Sequence, residues 1–392
     1  VGNNSKMTFA GVVIALGIVY GDIGTSPLYV MNEICNGKVI NEHLILGALS
    51  CIIWTLTLQT TIKYVILVLK ANNKGEGGTF SLYTLVRRHS KWAVFPAMIG
   101  GAALLADGMI TPPITVTSAI EGLRGIPAFA HITEWSIILI VIGILSLLFF
   151  FQQFGTASIG KAFGPVMIVW FLLLAVLGLQ HIGEEPHVFK AFNPYYAINL
   201  LTTYPKGFWI LGSVFLCITG AEALYSDMGH CGRHNIYPSW VFVKTCLILN
   251  YLGQGAWLLA ERTGTTWHAE GQNPFFALMP EWFLYAGISI ATVAAIIASQ
   301  AMISGSFTLI SEAVKLNLWP KMKINYPTVE RGQSFIPGIN LLLFLGCIVV
   351  VLIFRKSANM GAAYGLAITI CMLTTTILIS IYLKIKRVSM FW

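Results

Sequence analysis

The sequence predicts an all-α polytopic membrane protein with a five-plus-five inverted-repeat core whose helices 1 and 6 are interrupted. Three observations carry that expectation. Of 392 residues 56% are hydrophobic and only 10% charged, where an ordinary soluble domain has about 25% charged residues. Apolar runs longer than about 18 residues, enough to cross a bilayer's hydrocarbon, recur along the whole length. Acidic residues flanked by glycine or proline stand inside the first and sixth of these runs, five segments apart.

The apolar segments cover 7–35, 43–70, 92–123, 134–153, 162–181, 206–227, 237–260, 281–314, 335–354 and 358–384. Segment 1 follows Lys6 directly and continues past signal-peptide length, so no cleavable leader is expected. Within it Pro27 removes one amide donor and pushes Ser26 from helical angles, which predicts an interruption there. Segment 2 ends at Lys70, and the loop 71–91 holds Gly75-Glu76-Gly77-Gly78. Without a preceding strand or a Lys-Ser/Thr pair this glycine run reads as a turn, not a phosphate loop. Segment 3 carries Asp107 and the pair Pro112-Pro113; segments 4 and 5 have no Asp, Glu, Lys or Arg inside their ends. Between 182 and 205 lie Glu184, Glu185, Phe189, Phe192, Tyr195 and Tyr196, a composition suited to short interfacial helices. Segment 6 has no proline, and Gly220 beside Glu222 marks its break.

Formal charge is +8, yet the basic residues sit at segment ends, so they read as a topology signal and not as a nucleic-acid surface. With the N-terminus cytoplasmic, the outer side holds only Lys38, Arg124, Lys190, Lys206, Arg262, Arg355 and Lys356, and the rest of the 24 Lys and Arg face inward, counting Lys63 and Lys244 near inner helix ends. Both termini are therefore expected inside. The seven cysteines show no metal or redox spacing and read as reduced core residues. No nucleotide-binding motif supports an ATP-driven pump.

Asp22, Asp107 and Glu222 lie well inside apolar segments. An ionised side chain at the bilayer centre costs roughly 2.5–3.5 kcal/mol on insertion scales. On the segment count no Lys or Arg falls at comparable depth, so the expected partners are a proton, backbone donors or a bound cation. Carbonyls freed around Pro27 would supply further oxygen ligands. Asp107, Thr111 and Thr115 recur every four residues and share a face if the double proline only bends its helix. An interrupted helix at the head of each five-helix half points to a transporter of inverted repeats with a midplane site. An acidic site argues for a positive substrate, and oxygen ligands without a His or Cys cluster argue against a transition metal. The choice among sodium, potassium and protons stays open on these residues.

The stretches GVVIALGIVYGDIGTSPLY at 11–29, GEGGTFSLYTLVRR at 75–88, ADGMITPPITVTSAIEGL at 106–123, TGAEALYSDMGHCGR at 219–233, NPFF at 273–276 and ASQAMISGSF at 298–307 together resemble the KUP/HAK/KT potassium uptake family over essentially the whole chain. The resemblance implies a leucine-transporter-like fold of the amino acid-polyamine-organocation type. It also implies potassium uptake across the plasma membrane by proton-coupled symport: a secondary transporter, not an enzyme, with K+ and H+ as cargo and no cofactor. The potassium site it implies comprises Asp22, Tyr29, Asp107, Thr111, Thr115, Thr219, Glu222 and Tyr364. A carboxyl among Gly220, Ala221 and Ala223 is poorly hydrated once water leaves, which makes Glu222 the candidate proton-coupling group. Residues 1–184 would form the first repeat, 185–205 the outer loop and 206–388 the second repeat. Family members usually add two helices and a cytoplasmic C-terminal domain, through which some dimerise; on the resemblance both are expected beyond Trp392. Two alternatives are a cation-coupled amino-acid transporter and, more remotely, an intramembrane aspartyl protease using Asp22 and Asp107.

Overall fold

The computed structural model describes residues 7–73, 75–154, 157–268, 273–326 and 334–388. In chain order the helices are α1 (Phe9–Ile18), α2 (Gly21–Thr25, extended by a 3-10 turn Ser26–Leu28), α3 (Val30–Cys35), α4 (Glu42–Thr55), α5 (Thr79–Val86), α6 (Val94–Glu121), α7 (Glu134–Phe151) and α8 (Ala157–Ile182). They continue with α9 (Pro194–Thr203), α10 (Gly207–Val214), α11 (Ala221–Ser226), α12 (Met228–Cys231), α13 (Arg233–Arg262), α14 (Pro274–Ala277), α15 (Leu284–Lys315), α16 (Pro337–Phe354) and α17 (Ser357–Ile385). Among the described residues β pairing is limited to isolated bridges such as Val39 with Thr266. The protein is an all-α, multi-pass membrane bundle.

Among the described residues seven helical segments are long and apolar enough to cross a bilayer, and α1 with α2 forms an eighth that bends by 66°. The two remaining expected spans differ for physical reasons. Segment 6 is cut short: its apolar helix ends at Ile218, Thr219 turns extended, and Gly220 takes a left-handed φ of 77°. Segment 7 is the 30-residue α13, long enough to span but diluted by polar side chains that point inward. Asn250 donates to the Leu174 carbonyl at 2.9 Å and Gln254 to the Pro27 carbonyl at 3.0 Å, so neither amide meets lipid.

Helices approach most closely where side chains vanish. A Cβ on Gly17 would strike the backbone at Gly164, and one on Gly253 would strike Gly178, which lets α8 lie tightly against α1 and α13. The long α6 packs against α7, α15, α16 and α17 and is the spine of the bundle. Both prolines lie within α6 without ending it. Pro112 leaves the Gly108 carbonyl without its helical donor, and the Cys347 thiol of α16 approaches that oxygen at 4.0 Å. At one end of the bundle α9 rests on α4, where Ser50 and Trp54 donate to the carbonyls of Asn193 and Phe192. Phe189, Phe192 and Tyr195 are exposed there.

Candidate cation site

The break in helix 1 comes earlier than proline placement predicts. The chain bends at Tyr20, before Asp22, because two contacts hold it there. Tyr20 stacks on Trp240 with ring centroids 6.0 Å apart and donates its hydroxyl to the Ile236 carbonyl at 2.9 Å. Gly21 meets the backbone of α15, where a Cβ would lie 2.9 Å from the Ala298 Cα. Pro27 then sits in the 3-10 turn, where a missing amide hydrogen costs little.

The carbonyls around that turn are not left bare for a cation. Trp170 donates its indole N–H to Gly24 O at 2.8 Å, Gln254 its amide to Pro27 O, and Asn273 its amide to Leu28 O at 2.6 Å. The oxygens that gather at the site instead belong to side chains, which corrects the sequence expectation of free backbone ligands. Trp170, Gln254 and Asn273 are therefore structural parts of the site that sequence reasoning passed over. Asn273 lies in the NPFF stretch, the one visible signal.

Six of the eight expected residues form one buried cluster. Tyr364, from α17, donates to the Asp22 carboxylate, its hydroxyl 3.1 and 3.2 Å from the two oxygens. The same hydroxyl lies 2.6 Å from Thr111 Oγ1, and Thr111 donates to Asp107 Oδ1 at 2.6 Å. On the other side of Asp22, Thr219 Oγ1 lies 2.8 Å from Ser26 Oγ and 3.3 Å from the Tyr29 hydroxyl. Gly220, directly after, brings the second broken helix against the first: a Cβ there would sit 3.0 Å from the Asp22 Cβ. Ser26 belongs to this cluster although only its neighbours stood out in the sequence.

Thr115 stands a turn away along the same face. Its hydroxyl donates to the Thr111 carbonyl at 2.7 Å and lies 3.4 Å from Ser299 Oγ on α15.

Glu222 occupies a separate neighbourhood. It accepts a very short hydrogen bond from the Tyr64 hydroxyl. Beyond α4 the helix widens over Leu56–Leu67, where Thr61 Oγ1 reaches back five residues to Leu56 O at 3.0 Å; such wide turns are frequent at functional sites. This stretch turns both Tyr64 and Lys63 inward. The Lys63 ammonium donates to the Met372 carbonyl of α17 at 2.8 Å, lies 4.6 Å from the centre of the Tyr64 ring, and is within electrostatic reach of Glu222. A basic residue therefore does lie at the depth of an intramembrane acid, contrary to the segment count.

The sequence profile of the K+ potassium transporter integral membrane domain matches residues 9–392. This chain belongs to that potassium transporter family. Among curated relatives, the "Probable potassium transport system protein Kup" of Cytophaga hutchinsonii is 60% identical over 99% of this chain and 59% of its own length. Proteins with the same description from Flavobacterium johnsoniae and Clostridium perfringens are each 57% identical, covering 99% and 97% of this chain and 59% of theirs. The chain thus spans about three-fifths of the length of the potassium transport proteins it matches. Among solved structures, a manganese transporter of Eremococcus coleocola gives a TM-score of 0.49 at 15% identity, covering 95% of this chain and 77% of that one.

Proposed function

We propose that this family member carries the membrane pathway for potassium uptake, a secondary transport driven by protons through alternating access. The observation that carries the reading is the buried cluster of Asp22, Ser26, Tyr29, Asp107, Thr111, Thr219 and Tyr364, an all-oxygen set at the meeting of two broken helices. Hard oxygen ligands suit an alkali cation. Among the described residues no group of His, Cys, Asp and Glu has a metal-holding arrangement.

Proton counting adds to the case. Thr111 and Tyr364 bring two hydroxyl hydrogens to three contacts, Asp107 to Thr111, Thr111 to Tyr364 and Tyr364 to Asp22. One further proton, on either aspartic acid, satisfies all three and leaves one net negative charge for a monovalent cation to balance. An amino-acid substrate would present its carboxylate to this acidic cluster, which disfavours the amino-acid transporter. In an aspartyl protease the two acids share a proton across a water, whereas here two hydroxyl groups separate Asp22 from Asp107.

Support for two inverted five-helix repeats, 1–184 and 206–388 around the outer loop 185–205, comes from packing that recurs on a shift of five spans. The contact of α6 with α17 corresponds to that of α15 with α8, and α1 with α8 corresponds to α10 with α17. The contact of α6 with α7 corresponds to that of α15 with α16. The basic residues gathered on one side favour a cytoplasmic N-terminus in the plasma membrane. In liposomes, rubidium should accumulate on an inward proton gradient and be displaced by potassium but not by amino acids. Displacement by amino acids, or accumulation indifferent to the gradient, would overturn the reading.

A further inference from the structure

The first turn of α17 is fastened by an acid from another helix. A helix begins with four amide hydrogens that its own carbonyls cannot serve, and Lys356, at the cap of α17, makes no side-chain capping bond. Glu121, the last residue of α6, supplies one instead. Its carboxylate accepts the Ser357 amide at 3.1 Å and, on its other oxygen, a very short bond from the Ser357 hydroxyl. The connector behind is strained, since Arg355 holds a left-handed φ of 61° that an L side chain rarely adopts. A small polar cavity of about 60 Å³ lies beside the tie, lined by Asn36, Glu121, Arg124, Lys356, Ser357 and Asn359. Two of those side chains are cationic, which makes the cavity a poor resting place for potassium; its carboxylate serves to hold two helices together.

Beyond the tie, the same face of α17 leads to the cation cluster. Ser357, Gly361 and Tyr364 recur at four- and three-residue spacing, and seven residues at 1.5 Å each put Tyr364 about 10 Å further in. Gly361 is the middle step. The Glu33 carboxyl fills the space of its missing side chain, with the carboxyl carbon 3.1 Å from where a Cβ would stand. Glu33 Oε2 is buried there without a hydrogen-bond partner, so that oxygen fastens nothing and the hold on the first turn falls to Glu121. We propose that the tie between Glu121 and Ser357 is a gate: closed, as here, it seals the route along α17 to Asp22, and potassium enters from that end only when it parts. The inference rests on the reading of the chain as an alternating-access potassium transporter with this end of the bundle outward. Parting the tie frees the first turn of α17 to pivot about its strained connector and uncovers Glu33, a carboxyl step between the surface and Asp22.

The test reads access to the step behind the gate. Glu33→Cys places a thiol between the tie and Tyr364. A membrane-impermeant maleimide is applied to intact cells making the full chain and to inside-out vesicles from them, and the labelling that Glu33→Cys adds to that of the chain's buried native cysteines is followed in time. With the tie intact the added thiol should react slowly from either side. Adding Glu121→Gln or Ser357→Ala, each of which weakens the tie, should speed labelling of intact cells by about tenfold or more, the population shift that losing a hydrogen bond to a charged group produces. Labelling of vesicles and of the native cysteines should not change. Fast labelling with the tie intact, or equal rates with and without it, would overturn the gate; so would faster labelling of the native cysteines, the mark of a loosened bundle. If Glu121→Gln is recovered unfolded, Ser357→Ala, which keeps the backbone bond, decides alone. Labelling speeded only in inside-out vesicles would keep the gate and overturn the assigned orientation. Cells in which the unmodified chain takes up no rubidium would sink the transport reading itself, a result separate from any labelling rate.

Discussion

Two acidic neighbourhoods lie within this bundle, and they solve the problem of a buried carboxylate differently. Around Asp22 and Asp107 every partner is a hydroxyl, so the negative charge is left for a cation that arrives from outside. Around Glu222 the setting differs: Tyr64 donates its hydroxyl to the carboxyl, and the Lys63 ammonium lies 4.6 Å from the centre of the Tyr64 ring. On the proposed function, the hydroxyl-lined cluster would be the place for the transported ion and Glu222 the candidate group for the proton.

The largest expected effect comes from removing the charge of the uncompensated cluster. Asp22→Asn should cut rubidium uptake by more than about thirtyfold, since a buried charged partner is commonly worth 2–5 kcal/mol. The variant should remain folded, because the Asn carbonyl can still accept from Tyr364. Wild-type influx in such a protein would erase the distinction between the two neighbourhoods. Glu222→Gln, by contrast, should retain potassium-for-rubidium exchange and lose accumulation driven by a proton gradient. If gradient-driven accumulation survives unchanged, the proton is handled elsewhere and Asp107 becomes the residue to substitute.

Gly220 joins the neighbourhoods, since it follows Thr219 of one and precedes Glu222 of the other. Gly220→Ala forces a side chain into a left-handed conformation at a cost of about 1–2 kcal/mol and presses its Cβ against the Asp22 side chain and the Ile23 amide nitrogen. Thermal unfolding in detergent should fall measurably, and an unchanged midpoint would mean that the break relaxes freely. Smaller effects belong to the neutral ligands. Tyr29→Phe and Thr111→Val each remove one oxygen, worth about 0.5–1.5 kcal/mol, so half-saturating rubidium should rise roughly two- to tenfold with maximal flux less affected. If neither substitution moves the half-saturation, these hydroxyls serve packing alone.

Much of this arrangement was legible because charge is conspicuous in an apolar sequence. Asp22, Asp107 and Glu222 stood out for that reason, and the four-residue spacing of Asp107, Thr111 and Thr115 survives in a helix that its prolines do not end. Ser26 and Ser299 were silent because a hydroxyl in an apolar helix ordinarily bonds its own backbone, and only tertiary contact reveals another partner. Lys63 was misread because a straight α-helix would carry it toward its inner end, whereas the wide-turned stretch turns it inward; no residue in that stretch announces the change of pitch. The bend at Tyr20 was equally hidden, since it depends on Trp240 and Ala298, more than two hundred residues away in the chain. The inverted symmetry remains a reading of packing and spacing.

The most direct measurement is a crystal structure of the full chain with rubidium in place of potassium, using anomalous scattering to locate the ion. The account predicts a peak within coordinating distance of the Asp22 carboxylate and the hydroxyls of Tyr29 and Thr219, with none between Glu222 and Lys63. A peak held by Glu222, with none beside Asp22, would contradict it.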